Sequence, residues 1–328
     1  MDFDKLFAGF SKIKVGVIGD VMLDTYWWGH VERISPEAPV PIVLLDKNEL
    51  RIGGAGNVAL NLVELGARVS IFSAIGEDED GKKLDKLLIE SGIDTSYMIC
   101  SAKRKTTNKV RIISRNQQMM RLDSETNSDL PEEIEFALLE RVKDFIVNEK
   151  PSVMVFEDYN KGVLTENVIQ KVIELCKEHQ VITTVDPKKK NFFSYKSVDI
   201  FKPNLKEVKE GLNLAIDNVD LSTLGNVHDA LHDHLQHKIS FITLSEHGVF
   251  YHSNGTDAIV PSHLRNIADV SGAGDTVIAV ASLVYAATKD VALMAEMANI
   301  AGGLVCEEVG TAPIKRERLL EECKMLLK

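Results

Sequence analysis

GGAGNVALNLVELGARVSIFSAIG, residues 53–76, decides the fold class. Its glycines make an open turn, and residues 57–65 then repeat apolar side chains at helical spacing. Gly66 is placed to end that helix, because glycine adopts the left-handed conformation of a C-cap without a Cβ penalty. Residues 69–75 (VSIFSAI) then read as a buried strand. A turn, a helix, a glycine stop and an apolar strand make one unit of an α/β protein.

The same alternation extends in both directions. Residues 14–19 (KVGVIG) predict a buried strand that ends at Asp20. Further strands are expected at 152–156, 181–185, 200–202 and 240–244. Helices are expected at 81–90, 131–148, 165–178 and 205–210, at 276–287 and 291–309, and on to the end of the chain. Strands separated by helices imply a mostly parallel sheet covered on both faces. Two segments break the rhythm. Residues 26–45 hold both tryptophans and three prolines, and residues 105–123 contain alternating, β-prone stretches. Long structureless loops are uncommon inside compact domains, so the pair predicts a small antiparallel sheet projecting from the main body.

With 328 residues, 45% hydrophobic and 27% charged, the chain has the composition of a soluble globular protein. A formal charge of −11 disfavours nucleic acid and anionic membranes as partners. Cys100, Cys176, Cys306 and Cys323 are too dispersed for a zinc motif or a disulfide framework. There is no apolar run of membrane-spanning length, and the first residues carry acids unlike a secretory signal. A cytoplasmic setting is the expectation.

The chemistry concentrates in ADVSGAGDT, residues 268–276, ahead of a helical run. Gly272, Ala273 and Gly274 let the backbone approach a ligand closely, and their N–H groups open a helix, where unpaired donors and the helix dipole attract anions. Phosphoryl transfer needs such a cradle, and the adjacent Asp275 can take a proton from an attacking hydroxyl. Taken alone, an N-cap aspartate after a glycine turn explains these residues as well. No Walker loop is present. Gly53 and Gly54 also permit close approach, and Asn57 can bond sugar hydroxyls. G-x-G-x-x-G is missing and the cluster does not directly follow a predicted strand, which argues against a dinucleotide fold. Asp20 and Asp24, in GDVMLD, lie near a strand's carboxyl end and can accept from hydroxyls, although a cap or a solvated loop would also account for them. Lys188, in the turn Asp186-Pro187-Lys188, can approach a phosphate or simply be solvated.

Residues 53–76 and DVSGAGDTVIAVA (269–281) resemble, in order, the two sequence patterns of the ribokinase-like, or PfkB, carbohydrate kinases. The resemblance spans nearly the whole chain. It implies a single domain over residues 1–328, built as a three-layer α/β/α sandwich with a β-sheet lid at the two rhythm-breaking segments. It further implies ATP, Mg²⁺ and in-line transfer to a sugar hydroxyl. A monovalent cation is carried as an open expectation. By resemblance, Asn204 and Glu207 in KPNLKE organise Mg²⁺ through water, while Ser245, Gly248 and Asn299 lie near the nucleotide. Asn204 and Glu207 equally have the spacing of a helix capping box.

ERISPEAPVPIV (32–43), RNQQMMRLD (115–123) and GDVMLDTYWWG resemble the heptose-phosphate kinase group. That implies transfer to O1 of D-glycero-β-D-manno-heptose 7-phosphate, a step toward ADP-heptose and lipopolysaccharide. Lys109, Arg111, Arg115 and Arg121 are the candidate cations for the far phosphate, since guanidinium groups hold phosphate bidentately. Many of that group carry a nucleotidyltransferase domain with H-x-G-H, a motif absent here, so a kinase alone is expected. Trp27, Trp28, Ile34, Val40 and Ile42 offer an apolar lid face on which a homodimer could pair.

Overall fold

In the computed structural model, which describes every residue except 116, 217 and 328, the chain begins with α1 (Phe3–Gly9) and enters β1 (Lys14–Gly19). Only Asp20 separates β1 from β2 (Val21–Ile34), which turns back as β3 (Pro41–Gly54) and runs straight into α2 (Ala55–Glu64). There follow β4 (Arg68–Phe72), β5 (Ala74–Gly76), α3 (Glu79–Glu90), β6 (Ile99–Ser101), β7 (Asn108–Ser114) and β8 (Gln117–Ser124). Next come α4 (Glu132–Glu149), β9 (Val153–Glu157), α5 (Glu166–Glu178), β10 (Ile182–Asp186) and β11 (Ile200–Phe201). The last part holds α6 (Leu205–Leu212), α7 (Leu221–Leu235), β12 (Ile239–Thr243), β13 (Val249–Ser253) and β14 (Thr256–Val260). It closes with α8 (Ala273–Thr288), α9 (Val291–Val305) and α10 (Arg316–Leu326).

The main sheet has the order β14-β13-β12-β11-β10-β9-β1-β4. Its pairings from β4 across to β12 are parallel, and β13 and β14 add an antiparallel hairpin at one edge. Strand β9 shows why both faces are covered. Val153 and Val155 join the cluster formed with α2, α8 and α9, while Met154 and Phe156 join the one formed with α4, α5 and α7. A strand buried on both faces reads as a continuous apolar run, as VMVF does.

The lid is a second sheet of order β3-β2-β7-β8. It departs from the expected antiparallel sheet, because β2 and β7 pair in parallel while β2–β3 and β7–β8 are antiparallel. The two hairpins lie side by side, joined through the β2–β7 pairing. β2 and β3 also reach beyond the expected segment 26–45 at both ends. β3 ends at Gly54, so the glycine cluster does follow a strand directly, though a lid strand rather than one of the parallel sheet. The expectation of unbroken helix to the chain end is likewise corrected: residues 306–315 form a loop, with Gly310 at φ +72°.

Candidate active site

The carboxyl ends of four neighbouring strands deliver Asp20, Glu157, Asp186 and Lys202 to one edge of the sheet. The register places Gly19 beside Glu157 and Glu157 beside Asp186. α8 starts at the same edge. Its N-cap Gly272 has φ +80°, and a Cβ there would come within 2.8 Å of Asn57 Nδ2, so a glycine is required twice over. The first intrahelical bond is made by Thr276 N–H to Gly272 O at 3.0 Å. The amides just before it, of Gly274 and Asp275, face outward as helix-terminal donors. Gly274 keeps its surroundings open: a Cβ would sit 3.6 Å from Asp186 Oδ2 and 3.8 Å from Lys202 Nζ.

Asp275 is only 3% exposed. Asn57 Nδ2 donates to its Oδ2 at 2.7 Å, and the Tyr159 hydroxyl donates to its Oδ1 at 2.7 Å. Burial raises its pKa most, the hydrogen bonds from Asn57 and Tyr159 pull it down and nearby Asp186 pushes it up again, which leaves it at about 6. The result is a carboxylate ionised at neutral pH yet more basic than a surface aspartate. Asn57 is held in turn by Asn61 one helical turn on, whose Nδ2 donates to Asn57 O at 2.8 Å.

Around this group lies a buried charge cluster. Glu157, Asp186 and Asp275 have carboxylate oxygens within 4.8 Å of one another. Lys202 Nζ bonds Asp186 Oδ2 at 2.8 Å, and Lys188 Nζ lies 3.3 Å from Asp186 Oδ1 and 2.6 Å from Glu207 Oε1. Burial would raise Asp186, but the two lysines hold it below the ordinary range. The Glu157 carboxylate has no hydrogen-bond partner among the described residues, and burial beside Asp186 and Asp275 drives its pKa well up. Of the trio, Glu157 is the carboxyl whose ionised form is most disfavoured by its surroundings.

The other sequence candidates take varied places. Asp20 braces the loop after β9: it is 1% exposed, and its carboxylate accepts the N–H groups of Tyr159 (2.9 Å), Lys161 (3.0 Å) and Val163 (3.0 Å). Asp24 lies on lid strand β2, bonded to Arg111, with Gly53 packed against its Oδ2. Gly54 caps α2 at φ +60°. Arg121 forms a two-pronged pair with Asp123, and Arg115 occupies the exposed turn between β7 and β8 at φ +48°. Lys109, on β7, has no carboxylate in ion-pair reach among the described residues. Its Nζ stands 5.6 Å from the centre of the Tyr159 ring, and burial lowers its pKa. Asn204 and Glu207 form the capping box, Asn204 Oδ1 accepting from Glu207 N–H at 2.8 Å and Glu207 Oε2 from Asn204 N–H at 2.9 Å. Ser245 and Gly248 shape the turn after β12, both at positive φ. Asn299 Nδ2 donates to Pro261 O at 2.8 Å, tying α9 to the segment that leads to the glycine turn.

Glu157, Tyr159, Asp186 and Lys202 enter the site without having been singled out by sequence. Each acid directly follows a predicted apolar strand, a signal present in FED and VDP, and Lys202 ends the strand expected at 200–202; Tyr159 carries no local signal.

A parallel sheet that brings a glycine-opened helix, a buried base candidate and paired lysines to one edge, beneath a β-sheet lid, is the architecture of a carbohydrate kinase. The chain belongs to the pfkB family of carbohydrate kinases, whose pattern matches residues 12–317. It is 36% identical over 321 residues to the bifunctional protein HldE of Syntrophotalea carbinolica, and 38% over 318 residues to that of Sulfurimonas denitrificans. These matches cover 98% and 97% of the chain, and the chain spans 65% of the length of each relative. Among solved structures it resembles Escherichia coli phosphofructokinase-2 in complex with potassium, with a TM-score of 0.79 and 16% identity. It also resembles Arabidopsis thaliana ribokinase complexed with ribose and ATP, at 0.74 and 16%. The phosphofructokinase match covers 96% of this chain and all of that one; the ribokinase match covers 94% and 99%. The chain thus has the ribokinase-like fold.

Proposed function

We propose that this kinase transfers the γ-phosphoryl group of ATP to O1 of D-glycero-β-D-manno-heptose 7-phosphate, giving the 1,7-bisphosphate. Asp275 takes the proton from O1, and the Gly272–Gly274 turn, with the amides that open α8, stabilises charge on the moving phosphoryl group. Lys188 and Lys202 add positive charge beside that turn. Asn204 and Glu207 already spend their oxygens on the capping box and on Lys188, but these oxygens retain lone pairs. They suit holding the waters of Mg²⁺ rather than the ion itself, which when bound would offset phosphate charge. Closure of the lid would exclude water from the transfer. Two copies are proposed to pair through the lid, where Ile34, Val40, Leu44 and Leu45 are exposed. Sedimentation at micromolar concentration reports this directly, and a monomer contradicts it.

The observation that favours a phosphorylated sugar is Lys109. A half-buried ammonium without a carboxylate partner is costly, and an anionic substrate would offset that cost. The lid segments that resemble heptose-phosphate kinases point to which anion, and the HldE matches run through them.

A coupled ATPase assay with heptose 7-phosphate, fructose 6-phosphate and ribose separates the alternatives. Heptose 7-phosphate is expected to give the largest kcat/KM. Lys109→Met should raise KM for the phosphorylated sugar about 10- to 100-fold, as loss of a charge-assisted bond to phosphate predicts. Faster turnover of ribose than of either sugar phosphate would contradict the proposal.

A further inference from the structure

We infer that Tyr159 is a positioning residue for the base: its hydroxyl fixes the Asp275 carboxylate, and the Asp20 brace fixes Tyr159. The inference rests on Asp275 being the base.

The geometry runs as a chain of contacts from one strand end to another. Asp20, between β1 and the lid strand β2, accepts three backbone N–H groups from the loop after β9. One of them belongs to Tyr159. Three bonds to one buried carboxylate leave that loop little freedom, and they set where the phenol can reach. The phenol reaches Asp275 Oδ1 at 2.7 Å, on the side opposite Asn57. With both oxygens held, the carboxylate cannot rotate, and each oxygen still has a lone pair for a sugar hydroxyl. Two cations also approach the Tyr159 ring, Lys109 of the lid at 5.6 Å and Lys188 at 5.5 Å from its centre. One side chain therefore touches the base, the lid lysine and the lysine beside Asp186.

Holding a base by a donor has a definite consequence. The phenol stabilises the ionised carboxylate and so favours its proton-accepting form at lower pH. The other titratable groups facing Asp275 are Glu157 at the end of β9, Asp186 at the end of β10, Lys188 beyond it and Lys202 after β11. None of them hydrogen-bonds Asp275 among the described residues, so Tyr159 and Asn57 are its direct partners. Removing the phenol oxygen leaves Asp275 buried with one donor fewer, and its pKa must rise.

The test compares pH profiles of kcat for the wild type, Tyr159→Phe and Asp275→Asn, with the best sugar substrate from the panel and saturating MgATP. Phe keeps the ring near Lys109 and Lys188, so packing is preserved. Tyr159→Phe is expected to lower kcat about ten- to a hundredfold at neutral pH and to move the acidic limb to higher pH, with KM for ATP unchanged. A variant with a wild-type limb overturns the positioning role, whether its kcat is intact or reduced by lost stability. The Asp275→Asn arm separates the two levels: near-normal turnover there overturns the base assignment itself, whereas an inactive Asp275→Asn beside an unshifted Tyr159→Phe overturns the role of Tyr159 alone.

Discussion

Asp275→Asn should lower kcat by about 10²–10⁴-fold while leaving ATP affinity close to wild type. The amide keeps the size of the side chain and can still bond Asn57 or Tyr159, but it cannot take a proton. Because the buried carboxylate has a pKa near 6, wild-type kcat should fall as pH drops through about 6, where the base becomes protonated. The variant should lack that limb. Rates at saturating sugar between pH 5 and 8 check both features together. An Asp275→Asn enzyme that kept the acidic limb would move the titrating base elsewhere in the cluster.

Lys202→Met should destabilise the fold by about 3–5 kcal/mol, the usual result of removing one partner from a buried ion pair. Lys202 is 2% exposed and Asp186 4%, and their 2.8 Å contact lies where β10 and β11 end side by side. The methionine fills similar space but leaves Asp186 with Lys188 alone, at 3.3 Å. The buried Glu157 carboxyl already lies beside Asp186, so an Asp186 charge that loses its lysine has no solvent to turn to. Urea denaturation should show a clearly lower midpoint, and activity should fall too, since Lys202 Nζ borders Gly274. An unchanged midpoint would mean that the lysine pair does not stabilise Asp186 as described.

What the sequence made legible follows from how local each signal is. The GGAGN and GAGD turns announce themselves because glycines, helix starts and acids are adjacent in the chain. The parallel sheet was readable from apolar runs such as VMVF. The hairpin β13–β14 carries a local signal as well, since Asn254-Gly255, both at positive φ, joins two short β-prone runs. α7 was harder: Leu224, Val227, Leu231 and Leu235 keep helical spacing, but Gly225 and three histidines dilute it. Lid polarity was beyond reach, because the parallel pairing of β2 with β7 joins residues more than 80 positions apart. The same distance hid half of the site. Tyr159 meets Asp275 only because β9 lies centrally in the sheet and α8 starts at its carboxyl edge, and neither fact is written in the residues around position 159. Asp20 illustrates the converse: its place at a strand end was evident, but its three backbone partners come from a loop about 140 residues later.

The most direct test of the central claim is a crystal structure with Mg²⁺, a non-transferable ATP analogue and the sugar phosphate. The account predicts the terminal phosphate within hydrogen-bond distance of the amides that open α8, with the acceptor oxygen beside Asp275. A terminal phosphate bound elsewhere, with the Gly272–Asp275 turn empty, would contradict it.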